Sequence, residues 1–374
     1  MSAPGITAEL RAALPGTHSW AERPRADDLA GLPNTPAVYL LLSADQQPVQ
    51  LATTQALRRL LSRRLIQSSR RGADLADVVR TVWWREIATT FEGRWWYYRL
   101  ARTLYPDRYR RMISFGPAYF LHVDWHQRVP ELRVSEQVWC LPGEFVGPWP
   151  TAHAAHAACQ GLQDLFDLCR YPPEVRKAPH GTRCAYAEMH RCDAPCDGSV
   201  PLDGYVERCR AAWAFAAGAA AEWVATAEQR MRQAAEQQQY EFAAQIKRQL
   251  EFARQWQRDW GQLVRPAGEM VCLAALPVAR RKAWKLVLFR QGELVDGPIV
   301  AARAAAEEAP RWFREGLASK PAELSGTIRM EQTWLFCHLM FSRKLGRTVT
   351  VWASADAADA VGRRLAAGKL PRPD

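Results

Sequence analysis

The sequence has no apolar segment long enough to cross a membrane. Its longest run of small apolar residues, 211–221, is rich in alanine and ends at Glu222, whereas a membrane helix needs about 20 predominantly apolar residues. Residues 1–16 also lack the apolar core of a secretory signal. We therefore expect a soluble, cytoplasmic protein with no membrane partner.

The sequence also lacks the paired Cys-x-x-Cys hooks that are common in four-cysteine zinc sites. Nine cysteines, an odd number without a secretory signal, argue against a disulfide framework. Four of them nevertheless fall within 28 positions of a loop rich in proline and glycine: Cys169, Cys184, Cys192 and Cys196. A loop can bend so that such thiolates converge, and soft sulfur ligands favour iron–sulfur clusters or zinc. His180 and His190 lie beside these cysteines and can replace one ligand.

Acidic residues are too few to balance the basic ones. Lysine plus arginine number 50 against 39 acidic residues, which gives a formal charge of +11, and arginine carries most of that excess. Because the guanidinium fork matches phosphate geometry, the composition favours a polyanionic partner such as DNA. The length of 374 residues and the hydrophobic content of 48% indicate a folded chain of two or three domains.

One predicted helix concentrates this charge. Residues 55–67 place leucines on one helical face and arginines on the other. We expect the arginines of this helix to face phosphates and to bind DNA: Arg58, Arg59, Arg63 and Arg64. Arg70 and Arg71 follow in the same short segment.

Periodicity and turn residues predict a mixture of strands and helices. The predicted strands are 38–42, 49–52, 79–87, 119–123, 137–141, 271–276, 285–289, 293–295 and 349–352. The predicted helices are 55–67, 94–104, 152–168, most of 202–258, 307–318, 330–341 and the segment from 355 onward. Residues 1–31 are expected to form a short helix and a loose lead-in, and the proline-rich segment 147–150 to form a domain boundary.

The cysteine-rich stretch resembles a known segment. Gly-Pro-Trp-Pro at 147–150, a helix ending at Cys169, Thr-Arg-Cys-Ala-Tyr at 182–186 and Arg-Cys-Asp-Ala-Pro-Cys at 191–196 are similar to the cysteine-rich segment of UvrC. That family supplies the incision subunit of bacterial nucleotide excision repair, and its members hold a 4Fe–4S cluster there. The resemblance implies that Cys169, Cys184, Cys192 and Cys196 are cluster ligands, with zinc as the alternative.

Upstream, residues 32–39 resemble the opening of the GIY-YIG nuclease domain of the same family. Tyr39 stands at the first tyrosine of that domain, but Ala37 replaces its first glycine and Leu51 its second tyrosine. Leu60 occupies the place of the family's arginine, and Tyr97 that of its metal-binding glutamate. The resemblance therefore implies a degenerate nuclease domain in which Tyr39 is only a catalytic remnant.

A displaced active site is the alternative. Phosphodiester cleavage needs a base, a cation for the developing charge and a carboxylate that holds a divalent metal. Tyr39, Arg63 and Glu92 would serve if they converged in one cleft, with Glu86 a second carboxylate nearby. The chain would then resemble the short UvrC homologues that make a single incision, and only in that case would it need a divalent metal.

Downstream, residues 228–258 resemble the UVR helical hairpin of UvrB and UvrC. The matching positions are Met231, Ala234-Ala235, Tyr240-Glu241, Ala243-Ala244 and Ile246-Lys247, whereas Arg248 replaces the usual aspartate. Alanine at close-approach positions lets a partner hairpin dock. The resemblance implies contact with a UvrB-like protein, and an ordinary coiled-coil hairpin is the alternative.

Together these features predict an α+β multidomain protein of nucleotide excision repair type that binds DNA or a UvrB-like partner, with its nuclease site inactive. The resemblance covers about two thirds of the chain and corresponds to the N-terminal half of UvrC, since the family's second, RNase H-like nuclease and helix–hairpin–helix clamp have no counterpart. Residues 268–352 are only loosely similar to the family. The expected division is a lead-in at 1–31, a degenerate GIY-YIG-like domain at 32–115, connecting strands at 116–150, a cysteine-rich iron–sulfur module at 151–210, a helical region at 211–262 with the hairpin, and a C-terminal α/β domain at 263–374.

Overall fold

The first part of the chain forms an antiparallel sheet with helices on both faces. The computed structural model of the protein describes residues 8–66, 74–189, 192–278, 282–341, 349–352 and 355–368. The first elements are α1 (Ala8–Ala13), β1 (Gly16–Ser19), β2 (Ala37–Ser43), β3 (Pro48–Thr54), α2 (Leu57–Leu61), α3 (Leu75–Val78), β4 (Val79–Glu86), α4 (Thr90–Leu104) and α5 (Tyr109–Met112). The strand order is β1-β4-β2-β3.

The alternation of side chains along β2 divides this region into two cores. Val38 and Leu40 pack on the face that α4 covers, whereas Tyr39 and Leu41 pack on the opposite face with Leu57 of α2. Successive side chains of a strand point to opposite sides of the sheet. A residue of α4 and the Tyr39 side chain are therefore separated by the sheet itself.

The middle part combines a second antiparallel sheet with most of the helices. Its elements are β5 (Tyr119–Val123), β6 (Arg133–Ser135), β7 (Glu144–Trp149), α6 (Ala152–Leu165), α7 (Pro172–Val175), α8 (Ala185–Glu188), α9 (Leu202–Ala214), α10 (Ala220–Glu236), α11 (Tyr240–Asp259) and β8 (Arg265–Pro266). The strand order is β6-β5-β7-β8. A π-helical turn with Gly218 in the left-handed region separates α9 from α10.

The last part is a third antiparallel sheet with three helices. Its described elements are β9 (Val271–Pro277), β10 (Ala283–Arg290), β11 (Glu293–Ala301), α12 (Ala302–Ala318), α13 (Gly326–Phe341), β12 (Val349–Trp352) and α14 (Ala355–Ala366). The strand order is β11-β10-β9-β12. None of the helices in the described ranges combines the length and the apolar character that a bilayer crossing requires.

Helix α13 joins the last part to the first around a buried carboxylate. Glu331 is fully buried and accepts hydrogen bonds from the Tyr98 hydroxyl at 2.9 Å, the Tyr109 hydroxyl at 2.6 Å and Arg110 Nε at 2.8 Å. Trp95, Phe115, Met330 and Phe336 belong to the same continuous hydrophobic core around these helices. A buried charge is tolerated when it is paired and hydrogen-bonded, so Glu331 fixes α4 and α5 against α13.

A second buried ion pair acts at the other end of α4. Lys285 Nζ of β10 lies 3.2 Å from Glu92 Oε1 and 3.0 Å from Asp296 Oδ1, and the Lys285 and Glu92 side chains are 8% and 9% exposed. Burial raises the pKa of Asp296, and the charge of Lys285 opposes that rise. Removing one partner of a buried pair typically costs about 3–5 kcal/mol because it leaves an uncompensated charge.

The structure confirms most of the predicted elements. Helix α4 begins four residues before the predicted 94–104 because Thr89 and Glu92 form a capping box: Thr89 Oγ1 accepts from Glu92 N at 3.1 Å, and Glu92 Oε2 accepts from Ala88 N at 2.7 Å. Gly16–Ser19, assigned above to a loose lead-in, instead pairs with β4 as an edge strand. The proline-rich segment 147–150 is not a break between elements, since its first three residues belong to β7.

The strand predicted over 137–141 is wrong. This segment is a turn in which Trp139 has a φ of 70° and Cys140 N donates to Gln137 O at 3.0 Å. The turn lets the Trp139 indole donate to Thr333 Oγ1 at 3.0 Å and lie 3.8 Å beneath the Arg329 guanidinium. Tertiary contact with α13 therefore overrides the strand propensity of the local sequence.

Candidate functional site

The four clustered cysteines lie at the ends of helices and in turns. Cys169 follows α6, Cys184 is the N-cap residue of α8, and Cys192 and Cys196 flank a tight turn ahead of α9. Cys169, Cys192 and Cys196 are buried, and Cys184 is partly exposed. Loop positions of this kind allow side chains that are distant in sequence to approach one another.

The four thiols are electrostatic neighbours. Burial raises the pKa of the Cys169 thiol to about 11, and the charges of Cys192, Cys196 and Cys184 act in the same direction. Burial also raises the pKa of Cys192, with a further contribution from Cys184, and that of Cys196, with contributions from Asp197 and Cys192. Thiolates this close repel one another, so the group as a whole favours a cation that neutralises them.

Backbone amides are directed at three of these sulfurs. Tyr171 N donates to Cys169 Sγ at 3.3 Å. The Ala194 amide hydrogen-bonds Cys192, and the amides of Cys196 and Asp197 hydrogen-bond the Cys196 thiol; each of these bonds lowers the pKa of the cysteine concerned. Hydrogen bonds to sulfur stabilise the thiolate form and tune sulfur-bound metal centres.

The loop is closed by a contact that only glycine permits. Gly181 N donates to Cys196 O at 2.7 Å. A Cβ at this position would lie 2.4 Å from Glu174 O and 3.0 Å from Cys196 Cβ. The glycine therefore brings the segment before Cys184 directly against the turn that carries Cys196.

The cysteine loop does not have the geometry of a single-ion site in the described residues. Across the described ranges, no three or more His, Cys, Asp or Glu side chains are arranged to hold one metal ion. His180 is exposed, and His190 lies outside the described residues. A four-iron cluster is larger than one ion, so its four sulfur ligands need not converge on one point.

Tyr39, the expected catalytic remnant, is a core residue. It pairs across the sheet with Ala52 and Trp84 and is 1% exposed. Burial raises the pKa of its phenol, and the nearby charge of Arg64 opposes the rise. A buried phenol of this kind is a poor proton acceptor at neutral pH.

The three residues of the displaced-site hypothesis do not come together. Tyr39 packs on the α2 face of the sheet, Arg63 is exposed beyond α2, and Glu92 lies on α4 across the sheet in the ion pair with Lys285. Leu51 packs against the α4 face with Tyr97 beside that core. The convergence that the displaced-site alternative requires is therefore not found, because the sheet separates the Tyr39 side chain from Glu92 of α4.

The arginines of the predicted DNA surface are all exposed. Arg58 Nη1 donates to Ala30 O at 3.1 Å, and Arg64 Nη1 donates to Gln50 Oε1 at 2.8 Å. Arg59 and Arg63 line an open cleft with the uncharged side chains of Asn34, Thr54 and Gln55. Within the described part of the chain, none of the four arginines forms an ion pair with a carboxylate, and Arg70 and Arg71 lie outside it.

Helices α10 and α11 form an antiparallel hairpin. Ala227, Ile246 and Leu250 are buried between them, and Arg254 Nη2 lies 2.6 Å from Glu228 Oε1. The turn at 237–239 exposes two aromatic side chains, Tyr240 at 67% and Phe242 at 41%. The hairpin thus presents an apolar tip that its own helices do not cover.

Two charged residues near these sites gave no signal in the sequence. Lys285 forms an ion pair with the Glu92 carboxylate, and nothing in the strand pattern of β10 predicts that ion pair. Arg208 of α9 contacts the residue that follows Cys192, since its Nη1 lies 2.5 Å from Asp193 Oδ2. The position of Arg208 in the first helix after the last of the four clustered cysteines is the sequence feature that would have indicated its contact with the loop.

Comparison with known proteins identifies the region around the cysteines. Residues 118–215 match the family model described as the UvrC/Cho excinuclease middle domain, and this span contains all four cysteines. Similar curated proteins are each named UvrABC system protein C. Those of Methylococcus capsulatus (26% identical over 226 residues, 59% of this chain and 37% of that protein), Nitrosomonas europaea (31% over 154 residues, 40% and 25%) and Caulobacter vibrioides (25% over 253 residues, 66% and 38%) are representative.

The matched region is a minor part of each relative, since the alignments span between 25% and 38% of these three proteins. No solved structure matches the chain. The α+β fold with small antiparallel sheets, the family match over 118–215 and the similarity that reaches 66% of the chain agree with one another. The chain is therefore a UvrC-like protein.

Proposed function

We propose that this protein binds DNA in nucleotide excision repair, holds a 4Fe–4S cluster, and does not itself cut DNA. The match of residues 118–215 to the UvrC/Cho middle domain, with all four cysteines inside it, is the observation that carries the proposal. The basic surface and the absence of converging nuclease residues among the described side chains support a role in binding rather than incision.

The cysteine loop has the chemistry that a cluster needs. Cys169, Cys184, Cys192 and Cys196 would be the ligands, and three of them already receive backbone N–H groups. A bound cluster supplies a rigid cross-link between chain segments and a one-electron redox centre. The cross-link would tie the end of α6 to the start of α9. Zinc is the alternative occupant, and metal analysis distinguishes the two.

The exposed arginines of α2 and the turn after it support DNA binding. Arg59 and Arg63 line a cleft with Arg58 and with uncharged polar side chains, and no carboxylate is among its lining residues, so their charge is available to an external phosphate. Because each neutralised phosphate releases counterions, binding of this kind weakens as salt rises.

The geometry around Tyr39 supports the proposal that the protein has no nuclease activity. The place of the family's glutamate is taken by Tyr97, whose pKa is raised by burial and by Tyr105. A neutral phenol cannot fix a divalent metal as a carboxylate does. Glu92, the nearest alternative, is engaged by Lys285 on the far side of the sheet. A single-incision endonuclease that uses a divalent metal is the rival function.

The helical hairpin supports a protein partner. Tyr240 and Phe242 are exposed at its tip, and aromatic side chains that lie uncovered beside polar ones are typical anchors of protein interfaces. We propose that a UvrB-like protein docks its own hairpin on this tip.

The cluster is tested by metal content. Protein purified without oxygen should be brown and contain about four irons and four sulfides per chain. Cys192→Ser and Cys196→Ser should each lower the iron content on the order of tenfold and lower thermal stability, because metal binding energy is folding energy in such loops. Cys140→Ser, which removes an exposed thiol outside the loop, is the matched control. Stoichiometric zinc without iron, after anaerobic expression with iron supplied, would rule out the cluster.

The DNA surface is tested by salt dependence. The double substitution Arg59→Ala, Arg63→Ala should weaken duplex binding and reduce the slope of log affinity against log salt by about 0.9 for each lost phosphate contact. The control is Arg303→Ala, Arg311→Ala, the same charge change on two exposed arginines of α12. Equal affinity and slope for the two double variants would show that the arginines of α2 form only a solvated helix face.

The partner surface is tested by polar substitution at the hairpin tip. Tyr240→Ser, Phe242→Ser should weaken association with purified UvrB at least about tenfold in calorimetric titration, because it removes the aromatic anchors. Helix content should not change, since both side chains are exposed. Ile299→Ser, Leu317→Ser provides a matched control, because these residues are similarly exposed on other surfaces. Identical affinities for the two variants would argue for an ordinary hairpin without this partner.

The proposed absence of nuclease activity is tested on lesion-containing duplex DNA. The purified protein should produce no incision above background with magnesium or manganese, alone or with UvrA and UvrB, because both the second tyrosine and the metal carboxylate are missing. A full-length UvrC on the same substrate serves as positive control. Incision that disappears in Tyr39→Phe would instead establish the rival nuclease function.

A further inference from the structure

The guanidinium of Arg208, beside the cysteine loop, has N–H groups without a hydrogen-bond acceptor among the described residues. Its Nη1 donates to Asp193 Oδ2 at 2.5 Å, and Asp193 directly follows Cys192. Its Nε and Nη2 are both buried and have no hydrogen-bond partner among the described residues. Two buried donors on one charged group are therefore directed at something other than these protein atoms.

The position of Arg208 on α9 explains this orientation. Cys209, the next residue, is fully buried in the core that α9 shares with α6. Successive helical side chains are about 100° apart, so Arg208 lies on a different face of α9, where it pairs with Asp193 of the turn between Cys192 and Cys196. Because Asp193 directly follows Cys192, this ion pair places the guanidinium beside the proposed ligands.

The buried Nε and Nη2 groups of Arg208 need an acceptor. Leaving a buried donor unsatisfied costs about 1–3 kcal/mol, and more when the group is charged. Asp193 supplies one carboxylate, but it engages only one of the three guanidinium nitrogens. A cluster with four thiolate ligands carries net negative charge and exposes sulfur acceptors. Such sulfur atoms would supply the hydrogen-bond acceptors that Nε and Nη2 lack among the described residues.

We infer that Arg208 contacts the cluster, donating Nε and Nη2 to sulfur on its Cys192 side and stabilising its more negative, reduced form. This inference rests on the proposed cluster. Hydrogen bonds and nearby charge are among the factors that set the reduction potentials of iron–sulfur centres. Arg208 therefore raises the potential of the cluster as well as anchoring the Cys192 turn through Asp193.

The experiment compares the reduction midpoints of four full-length proteins, each loaded with its cluster anaerobically and titrated with dithionite and mediators. Arg208→Gln removes the charge beside the cluster and should shift the midpoint to a more negative value. Arg210→Gln is the matched control, because Arg210 carries the same charge on the same helix, pairs with Glu207 and lies over Trp125. It should leave the midpoint near that of the unsubstituted protein.

Asp193→Asn separates charge from loop anchoring. It breaks the same ion pair as Arg208→Gln but removes a negative charge, so it should shift the midpoint to a more positive value. Opposite shifts support the contact. Equal shifts of one sign, or no difference between Arg208→Gln and Arg210→Gln, would show that Arg208 acts only by holding the turn and would overturn the inference.

Loading is measured on the same samples. If Arg208→Gln fails to take up iron, Arg208→Lys replaces it: a smaller negative shift supports the contact, and an unchanged midpoint overturns it. If the unsubstituted protein itself contains no iron or sulfide, the proposed cluster fails and the inference fails with it. A loaded unsubstituted protein with an unaltered Arg208→Gln midpoint refutes the inference alone.

Discussion

Helix α4 is held from both sides, and the rest of the first region depends on this constraint. Its apolar side packs on the sheet, Tyr98 donates to the buried Glu331 of α13, and Glu92 pairs with the buried Lys285 of β10. Each of these charges is stable only while its partners remain in place. The helix is therefore fixed by residues more than 180 positions away in the chain.

This constraint also explains why the carboxylate of α4 is part of the scaffold. Glu92 caps α4 and pairs with Lys285, so it is already used for structure. The sheet separates it from Tyr39. What stays open to solvent is the opposite face, where Arg59 and Arg63 border a cleft without a paired acid in the described residues. A surface of this kind suits a bound phosphate backbone better than a reaction centre.

The cysteine loop is built on a different principle. Backbone groups add to its side-chain packing: amides of Tyr171 and Ala194 are directed at sulfur, and Gly181 permits close approach of two segments. Buried side chains of the loop share one core with helices α6 and α9. Backbone contacts and this core together fix the loop, and Arg208 of α9 pairs with Asp193 within it.

The order of elements and the ligand candidates could be read from the sequence, because both depend on local pattern. Leucine and arginine alternation located α2, alternating apolar residues located β2 and β10, and the cysteines with their intervening residues carried the resemblance to the cysteine-rich segment of UvrC. The start of α4 was missed because the capping box of Thr89 and Glu92 precedes its apolar pattern. The turn at Trp139 was missed because its conformation is set by contact with α13.

The sequence by itself determined which residue types are available: four loop cysteines, a basic helix, and Leu51 and Tyr97 at the places that the resemblance gives to a tyrosine and a glutamate. The tertiary structure alone decided which of them meet. It placed Tyr39 and Glu92 on opposite faces of one sheet, because strand side chains alternate, and it paired Glu92 with Lys285 and Glu331 with Tyr98 across long stretches of chain. It also paired Arg208 with Asp193 of the cysteine loop, because Arg208 lies on a different face of α9 from the buried Cys209.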